Sequence, residues 1–125
     1  MEKLFKIAVD FDGTLCEYAF PKIGEQKDEH KKLMKLLIDL KSRGHKLILW
    51  TNRGDNEQYP VLTEAIEWCK QKGLEFDAIN ENLPDQVKIS GYSPKIMADY
   101  YIDDKALQFS NIETKLNTIE VLSKI

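Results

Sequence analysis

Two aspartates separated by one residue follow a short apolar segment near the start of the chain. The segment Phe5–Asp10 is predicted to be a buried strand. Side chains two apart on an extended chain point the same way, so Asp10 and Asp12 start on one face before Gly13 lets the chain turn. Carboxylates this close repel each other unless a proton or a cation intervenes, and Mg²⁺ suits such an oxygen-rich site. In unequal environments they can also act as nucleophile and acid/base.

Aspartate and glycine are also common turn residues, so this motif alone does not require chemistry. Two further apolar segments end in polar residues, however. Lys46–Thr51 ends in a hydroxyl, and Tyr100–Asp103 is followed directly by Asp104. Three strands that each deliver a polar group at the C-terminal end are the arrangement expected of an open parallel sheet with its ligand at that edge.

Predicted strands alternate with predicted helices along the chain, which indicates a single α/β domain over residues 1–125 with a parallel sheet. A further strand is predicted at Phe76–Ile79, and Asn82–Met97 is predicted to be mostly loop because proline and glycine interrupt it. The predicted helices are Asp28–Arg43, a helix from Pro60 to Gly73, and a last helix with the apolar residues Ile112, Leu116, Ile119 and Leu122 and the cap Asn111.

The composition is that of an ordinary globular chain. It has 125 residues, 31% charged and 42% hydrophobic, with a net charge of -3, so bulk charge gives no sign of nucleic-acid binding, although a basic patch at Lys27–Lys35 leaves it open. Two cysteines are too few for a disulfide framework, and no signal peptide or membrane-length apolar run is present, so we expect a cytoplasmic protein. Cys16 is expected to pack, and His30 to lie near the solvated side of its helix.

Taken together, the motifs match a known family in order and in extent. The set Asp10-x-Asp12-Gly13-Thr14, Thr51 after an apolar strand, an upstream lysine, and Asp103-Asp104 resembles the haloacid dehalogenase (HAD) superfamily of phosphohydrolases over nearly the whole chain. The resemblance implies a Rossmann-like open parallel sheet of strand order 3-2-1-4 flanked by helices. It also implies Mg²⁺-dependent hydrolysis of a phosphomonoester.

The resemblance also implies a role for each motif residue. Asp10 would take the phosphoryl group as an aspartyl-phosphate, and Asp12 would protonate the leaving alcohol and then activate water. Thr51 would donate a hydrogen bond to a phosphoryl oxygen. Asp103 would hold Mg²⁺ together with Asp10 and the backbone carbonyl of Asp12, and Asp104 would assist from the outer shell. Metal and lysine cations would relieve the repulsion between carboxylate and phosphate.

The active-site lysine has two candidates. Lys95 resembles the lysine upstream of the Ala-Asp-x-x-Ile-Asp-Asp pattern in small deoxynucleotidase-like members. An extended path from Lys95 to Asp103 would span roughly 26 Å, so the chain must loop back to bring this lysine to the site. Lys88 has more slack and is the alternative.

The chain has no room for the cap domains that usually encode substrate choice in this family. Leu15–Lys27 and Leu83–Pro94, the two insertion points, are both short. Cover would then come from a bulky substrate, from a neighbouring subunit in a homo-oligomer, or from Tyr18–Ile23, which could instead simply pack. Arg53 could contact a substrate anion or cap a helix, and residues 80–82 could line the same mouth.

The sequence leaves the substrate open, since fold does not fix function. One alternative is a 5'/3'-nucleotidase or nucleic-acid-end phosphatase, suggested by the similarity of Ala98–Asp104. Another is a non-catalytic receiver-like or scaffold domain. A receiver places its acidic pair after the first strand and its acceptor aspartate mid-chain, whereas here an acidic pair comes last, and intact Asp10 and Asp12 disfavour a scaffold.

Overall fold

The computed structural model describes residues 3–91, 96–103 and 119–125. Lys95, Asp104, Asn111, Ile112 and Leu116 lie outside the described residues, whereas residues 119–123 are helical as predicted. The elements in chain order are β1 (Lys6–Val9), α1 (Asp28–Ser42), β2 (Lys46–Leu49), α2 (Val61–Gln71), β3 (Ala78–Ile79), α3 (Pro84–Ser90) and β4 (Tyr100–Ile102).

The four strands form one parallel sheet with the order β3-β2-β1-β4, as the resemblance predicted. In the register of this sheet Val9 pairs with both Leu49 and Ile102. The backbone N–H of Asp10 donates to the Ile102 carbonyl at 2.8 Å, and that of Trp50 donates to the Val9 carbonyl at 2.8 Å. The residues that follow β1, β2 and β4 therefore emerge side by side at one edge.

Alternation along the strands divides the core between the two faces of the sheet. Ile7 and Val9 belong to the larger apolar cluster, which includes the inner residues of α1 and α2. Ala8 and Ile48 belong to a smaller cluster with Leu83, the residue that precedes α3. The inner residues of α1 and α2 thus pack on one face of the sheet, and the residue that precedes α3 packs on the other.

Two sequence predictions were wrong. The segment expected to be mostly loop contains α3, because Pro84 occupies the first turn, where its missing N–H costs nothing, and Gly91 follows the last turn. Pro84 and Gly91, which were interpreted as interruptions of a loop, thus mark the two ends of a helix. His30 is buried rather than solvated, since its Nδ1 accepts a hydrogen bond from the Lys27 N–H at 2.9 Å at the start of α1.

Both cysteines are buried as free thiols. Burial raises the pKa of Cys69 to about 12 and also raises that of Cys16, so both carry their protons at neutral pH and pack as small apolar residues. Within the described ranges, no helix has the length and apolar character needed to cross a membrane.

Candidate functional site

A cavity of about 340 Å³ opens at the carboxyl edge of the sheet. It collects most of the polar residues that the sequence motifs predicted, together with exposed aromatic side chains. Its lining consists of Asp10, Asp12, Tyr18, Phe20, Trp50, Thr51, Asn52, Arg53 and Asp103. The structure thus brings Asp10, Asp12, Thr51 and Asp103 together from β1, β2 and β4.

A tight turn after β1 sets the positions of the first two aspartates. Gly13 has a φ of +84°, which favours glycine. The N–H groups of Thr14 and Leu15 both donate to the Phe11 carbonyl, at 3.1 and 2.9 Å. The Thr14 hydroxyl lies 3.5 Å from Oδ2 of Asp10, at the limit of hydrogen-bonding distance. Asp10 is half-buried at the cavity, and Phe11 between the two aspartates points into the core.

Asp12 makes a bidentate ion pair with Arg53. Arg53 Nε donates to Oδ2 at 2.9 Å and Nη2 donates to Oδ1 at 2.8 Å. The Arg53 side chain is fully buried, and that of Asp12 is 12% exposed. This fork-to-carboxylate geometry is the strongest kind of side-chain pairing, so it fixes both the position and the plane of the Asp12 carboxylate.

The remaining donors of Arg53 reach backbone carbonyls. Nη1 donates to Pro21 at 3.4 Å and to Val61 at 3.0 Å, and Nη2 donates to Lys22 at 3.0 Å. A guanidinium has five N–H donors, and all five are used by these contacts and the Asp12 pair. Of the two roles considered from the sequence, contact with a substrate anion therefore finds no free donor in this conformation.

The Thr51 loop is fixed by Asn80, which does not line the cavity, and by Arg53, which does. The Thr51 N–H donates to Asn80 Oδ1 at 2.8 Å, and the Thr51 hydroxyl accepts from the Arg53 N–H at 3.1 Å. Asn80 follows β3 in a left-handed conformation, with a φ of +54°, and Asn82 Oδ1 accepts from the Met97 N–H at 2.7 Å. Residues 80–82 were candidates for the mouth, but Asn80 and Asn82 hold backbone behind it.

Residues 17–25 form a closed loop beside the cavity, which we call the cover segment. Its ends are joined because the Glu17 N–H donates to the Glu25 carbonyl at 2.8 Å. A Cβ on Gly24 would lie 1.9 Å from the Glu17 carbonyl oxygen, so this close approach requires glycine. Tyr18 and Phe20 of the segment line the cavity and remain 61% and 47% exposed. The cover segment, rather than a cap domain, therefore borders the mouth in the described part of the chain.

The sequence did not single out Trp50 as a cavity residue, because Trp50 lies within the apolar segment that was predicted to be a strand. It is 38% exposed and its ring meets that of Tyr101 edge to face, with the centroids 5.6 Å apart. With Tyr18 and Phe20, the cavity combines a carboxylate-rich floor with an aromatic rim. Such a rim suits a flat or apolar group attached to a polar one.

Oxygen atoms dominate the donors available for a metal ion. The carboxylates of Asp10 and Asp103 and the main chain of Asp12 lie at one cavity, and this all-oxygen set fits Mg²⁺. Elsewhere in the described ranges Glu17, Glu29 and His30 bring ligand atoms within 4.8 Å of one another. These side chains have structural contacts with the residue that precedes α1: His30 accepts from the Lys27 N–H, and Glu17 pairs with the Lys27 side chain at 3.2 Å.

The lysine that would face the phosphoryl group is not among the described residues that line the cavity. Lys88 is exposed on α3 and does not line the cavity. Lys95, which the resemblance favours, and Asp104, the expected outer-shell residue, both lie outside the described residues. The choice between the two lysines therefore stays a prediction.

No known family profile matches the chain, and neither does any curated protein. Among solved structures, a protein from Bacteroides thetaiotaomicron that is described only as conserved is similar to it. The two sequences are 38% identical over 98% of this chain and 92% of that one, with a TM-score of 0.76.

Proposed function

We propose that this chain, which belongs to the family of the conserved Bacteroides thetaiotaomicron protein, is an Mg²⁺-dependent phosphomonoester hydrolase of the HAD type. The observation that carries the proposal is the meeting of Asp10, Asp12, Thr51 and Asp103 at one cavity. Single strand-end aspartates are common, but four motif residues from three strands in one cavity are what phosphoryl transfer through a carboxylate needs.

In the first step, a carboxylate oxygen of Asp10 attacks phosphorus and the bond to the ester oxygen breaks. Asp12, protonated before this step, gives its proton to the leaving alcohol and thereby becomes the carboxylate that pairs with Arg53. In the second step, Asp12 as a carboxylate takes a proton from water, whose oxygen attacks phosphorus and releases inorganic phosphate from Asp10. The resemblance supports this division of roles, in which Asp10 directly follows β1 and Asp12 lies two residues further on, just before Gly13.

Mg²⁺, when bound by Asp10, Asp103 and the Asp12 carbonyl, would neutralise charge on the phosphoryl oxygens. Thr51 contributes a hydroxyl at the same cavity, and that hydroxyl is oriented by the Arg53 N–H. Its own proton is left to donate to a phosphoryl oxygen, because the oxygen accepts rather than donates in this contact. We include a cytoplasmic location in the proposal, because both cysteines are free thiols.

The aromatic rim favours a second, narrower function, a nucleotidase or a phosphatase of nucleic-acid ends. Tyr18, Phe20 and Trp50 are exposed beside the carboxylates, and exposed aromatic rings can stack on a base. Cover from the rest of a large substrate would also compensate for the small size of the cover segment.

The proposal is tested by phosphate release from a panel of phosphorylated sugars, nucleotides and oligonucleotide ends, with and without Mg²⁺. The general function predicts release that chelation abolishes, and the narrower one predicts faster release from nucleoside monophosphates than from ribose 5-phosphate. No release from any member with Mg²⁺ present would contradict both and favour a scaffold.

A further inference from the structure

The buried arginine connects three separate parts of the chain. Arg53 pairs with Asp12 after β1, donates to the carbonyls of Pro21 and Lys22 in the cover segment, and donates to Val61 at the start of α2. These partners lie 8 to 41 residues from Arg53 in sequence. The guanidinium is therefore the common point of the acid/base residue, the rim of the cavity and a core helix.

Two aromatic rings also contact the guanidinium of Arg53. Its carbon lies 4.9 Å from the ring centroid of Phe11 and 5.2 Å from that of Phe20. Phe11 is buried in the core, whereas Phe20 belongs to the cover segment and lines the cavity. The cover segment thus contacts Arg53 through a ring as well as through two carbonyls, and these contacts are strengthened by exclusion of water.

The charge of Arg53 makes these contacts depend on Asp12. A buried guanidinium without a counter-ion carries a large desolvation cost, so loss of the carboxylate would drive the arginine toward water. Among the acceptors that its five donors reach in the described residues, the carboxylate of Asp12 is the one ionic partner. If the arginine moves, the carbonyls of residues 21 and 22 lose their donors and the Phe20 ring loses its neighbour.

We infer that Arg53 is a positioning residue that couples the orientation of Asp12 to the placement of the cover segment. The coupling of Asp12 to an acid/base role rests on the proposed function, whereas the link between Asp12 and residues 20–22 does not. Loss of the pair releases the cover segment, and a displaced cover segment leaves Asp12 without its fixed orientation. The segment and the acid/base residue then respond to substrate as one unit.

The link between Asp12 and the cover segment can be tested without an activity assay. The measured quantity is the rate of trypsin cleavage after Lys22, which is exposed. Asp12→Asn and Arg53→Lys should each raise the cleavage rate about tenfold, because neither retains the bidentate ionic pair that keeps the segment closed. Asp10→Asn is the matched control, since it removes a carboxylate from the same cavity but from none of the five Arg53 contacts. Its rate should stay at that of the wild type.

Cleavage within α1, followed in the same digests, reports global unfolding. Selective acceleration after Lys22 supports the link. Equal acceleration in α1, or an unchanged rate after Lys22 in both variants, overturns it.

A kinetic arm tests positioning. An alkyl phosphate needs a proton from Asp12 on its leaving oxygen, whereas p-nitrophenyl phosphate has a good leaving group. Arg53→Lys should lower kcat/KM for the alkyl ester about tenfold more than for the aryl ester, and should have little further effect in an Asp12→Asn background. Equal losses on both esters, with an active wild type, overturn the positioning role and leave the proposed function intact. A wild type that hydrolyses neither ester overturns the proposed function, while the proteolysis still decides the link.

Discussion

The two edges of the sheet use aspartates in opposite ways. At the amino edge, Asp99 accepts from the Lys6 N–H at 2.7 Å, and Asp77 accepts from the Leu47 N–H at 2.8 Å and from Lys41 Nζ at 3.0 Å. At the carboxyl edge, Asp10 and Asp103 instead line a cavity. In a parallel sheet, the first residues of the strands present N–H groups, which can donate hydrogen bonds to a carboxylate. The last residues present carbonyl groups, which offer a carboxylate no donor.

This difference explains why the same residue type is structural at one edge and a candidate for chemistry at the other. Carboxylates at the carboxyl edge need a cation from elsewhere, and Arg53 supplies one for Asp12. Asp10 and Asp103 share the cavity at which we propose Mg²⁺. Substitutions of aspartates at each edge test this difference.

Removal of the proposed nucleophile should have the largest effect. Asp10→Asn should lower phosphate release by ~10³-fold or more, because an amide does not attack phosphorus. Asp99→Asn, its counterpart at the amino edge, should retain nearly all turnover. Steady-state phosphate release from both variants, with circular dichroism as a check of folding, makes the comparison. Similar losses in the two variants would remove the distinction between the edges.

The active-site lysine should give the next largest effect. Lys95→Ala should lower kcat/KM by ~10²-fold, because the described lining offers no free arginine donor for the phosphoryl charge. Lys88→Ala should have a much smaller effect, since Lys88 is exposed on α3. The opposite ranking in the same assay would assign the role to Lys88.

The two carboxylates near the proposed metal should differ in affinity for Mg²⁺. Asp103→Asn should weaken binding by ~10-fold or more, whereas Asp12→Asn should change it little, because Asp12 would bind through its backbone carbonyl. Calorimetric titration of both variants measures the difference. Equal weakening would mean that the Asp12 side chain also serves the metal.

At the amino edge the effect should be on stability alone. Asp77→Asn should lower the free energy of unfolding by about 1–2 kcal/mol, because an amide oxygen can still accept from Leu47 but no longer pairs with Lys41. Urea denaturation measures the loss, and kcat/KM should be unchanged. A kinetic defect in this variant would show that the two edges are coupled.

The smallest effect concerns acid stability. The hydroxyl and the backbone N–H of Thr63 lower the pKa of Asp55, which also accepts from the Leu62 N–H at the start of α2. Because the folded pKa lies below the unfolded value, this stabilisation is present above the unfolded pKa and is lost as pH falls through the folded one. Asp55→Asn should therefore lower the urea midpoint at about pH 6 and change it little at about pH 2. Equal shifts at both pH values would show that the charge is irrelevant.

Much of the fold follows from pattern. Short apolar segments predicted the four strands and their positions, and the resemblance of the motifs to a known family predicted the sheet order. The strand-end rule also predicted that Asp10, Thr51 and Asp103 would share one edge. The short helix α3 was missed because Pro84 and Gly91 act as its ends rather than as breaks in a loop.

The part of the site that depends on tertiary contacts was not predictable from pattern. Arg53 looked like a substrate contact or a helix cap, but three of its acceptors are backbone carbonyls, which leave no signature in a sequence. His30 was misjudged for the same reason, since its partner is the backbone N–H of Lys27. Backbone partners become visible only once the chain is folded.

Direct detection of the covalent intermediate tests the central claim most directly. Asp12→Asn, mixed with p-nitrophenyl phosphate and Mg²⁺ and quenched in acid, should accumulate a phosphoryl group on Asp10, because the good leaving group permits the first step and the lost base slows the second. Mass spectrometry of the peptide that contains Asp10 should show this addition, and Asp10→Asn should not. Phosphate release by an active protein with no label on Asp10, or with the label on another residue, would contradict the proposed mechanism.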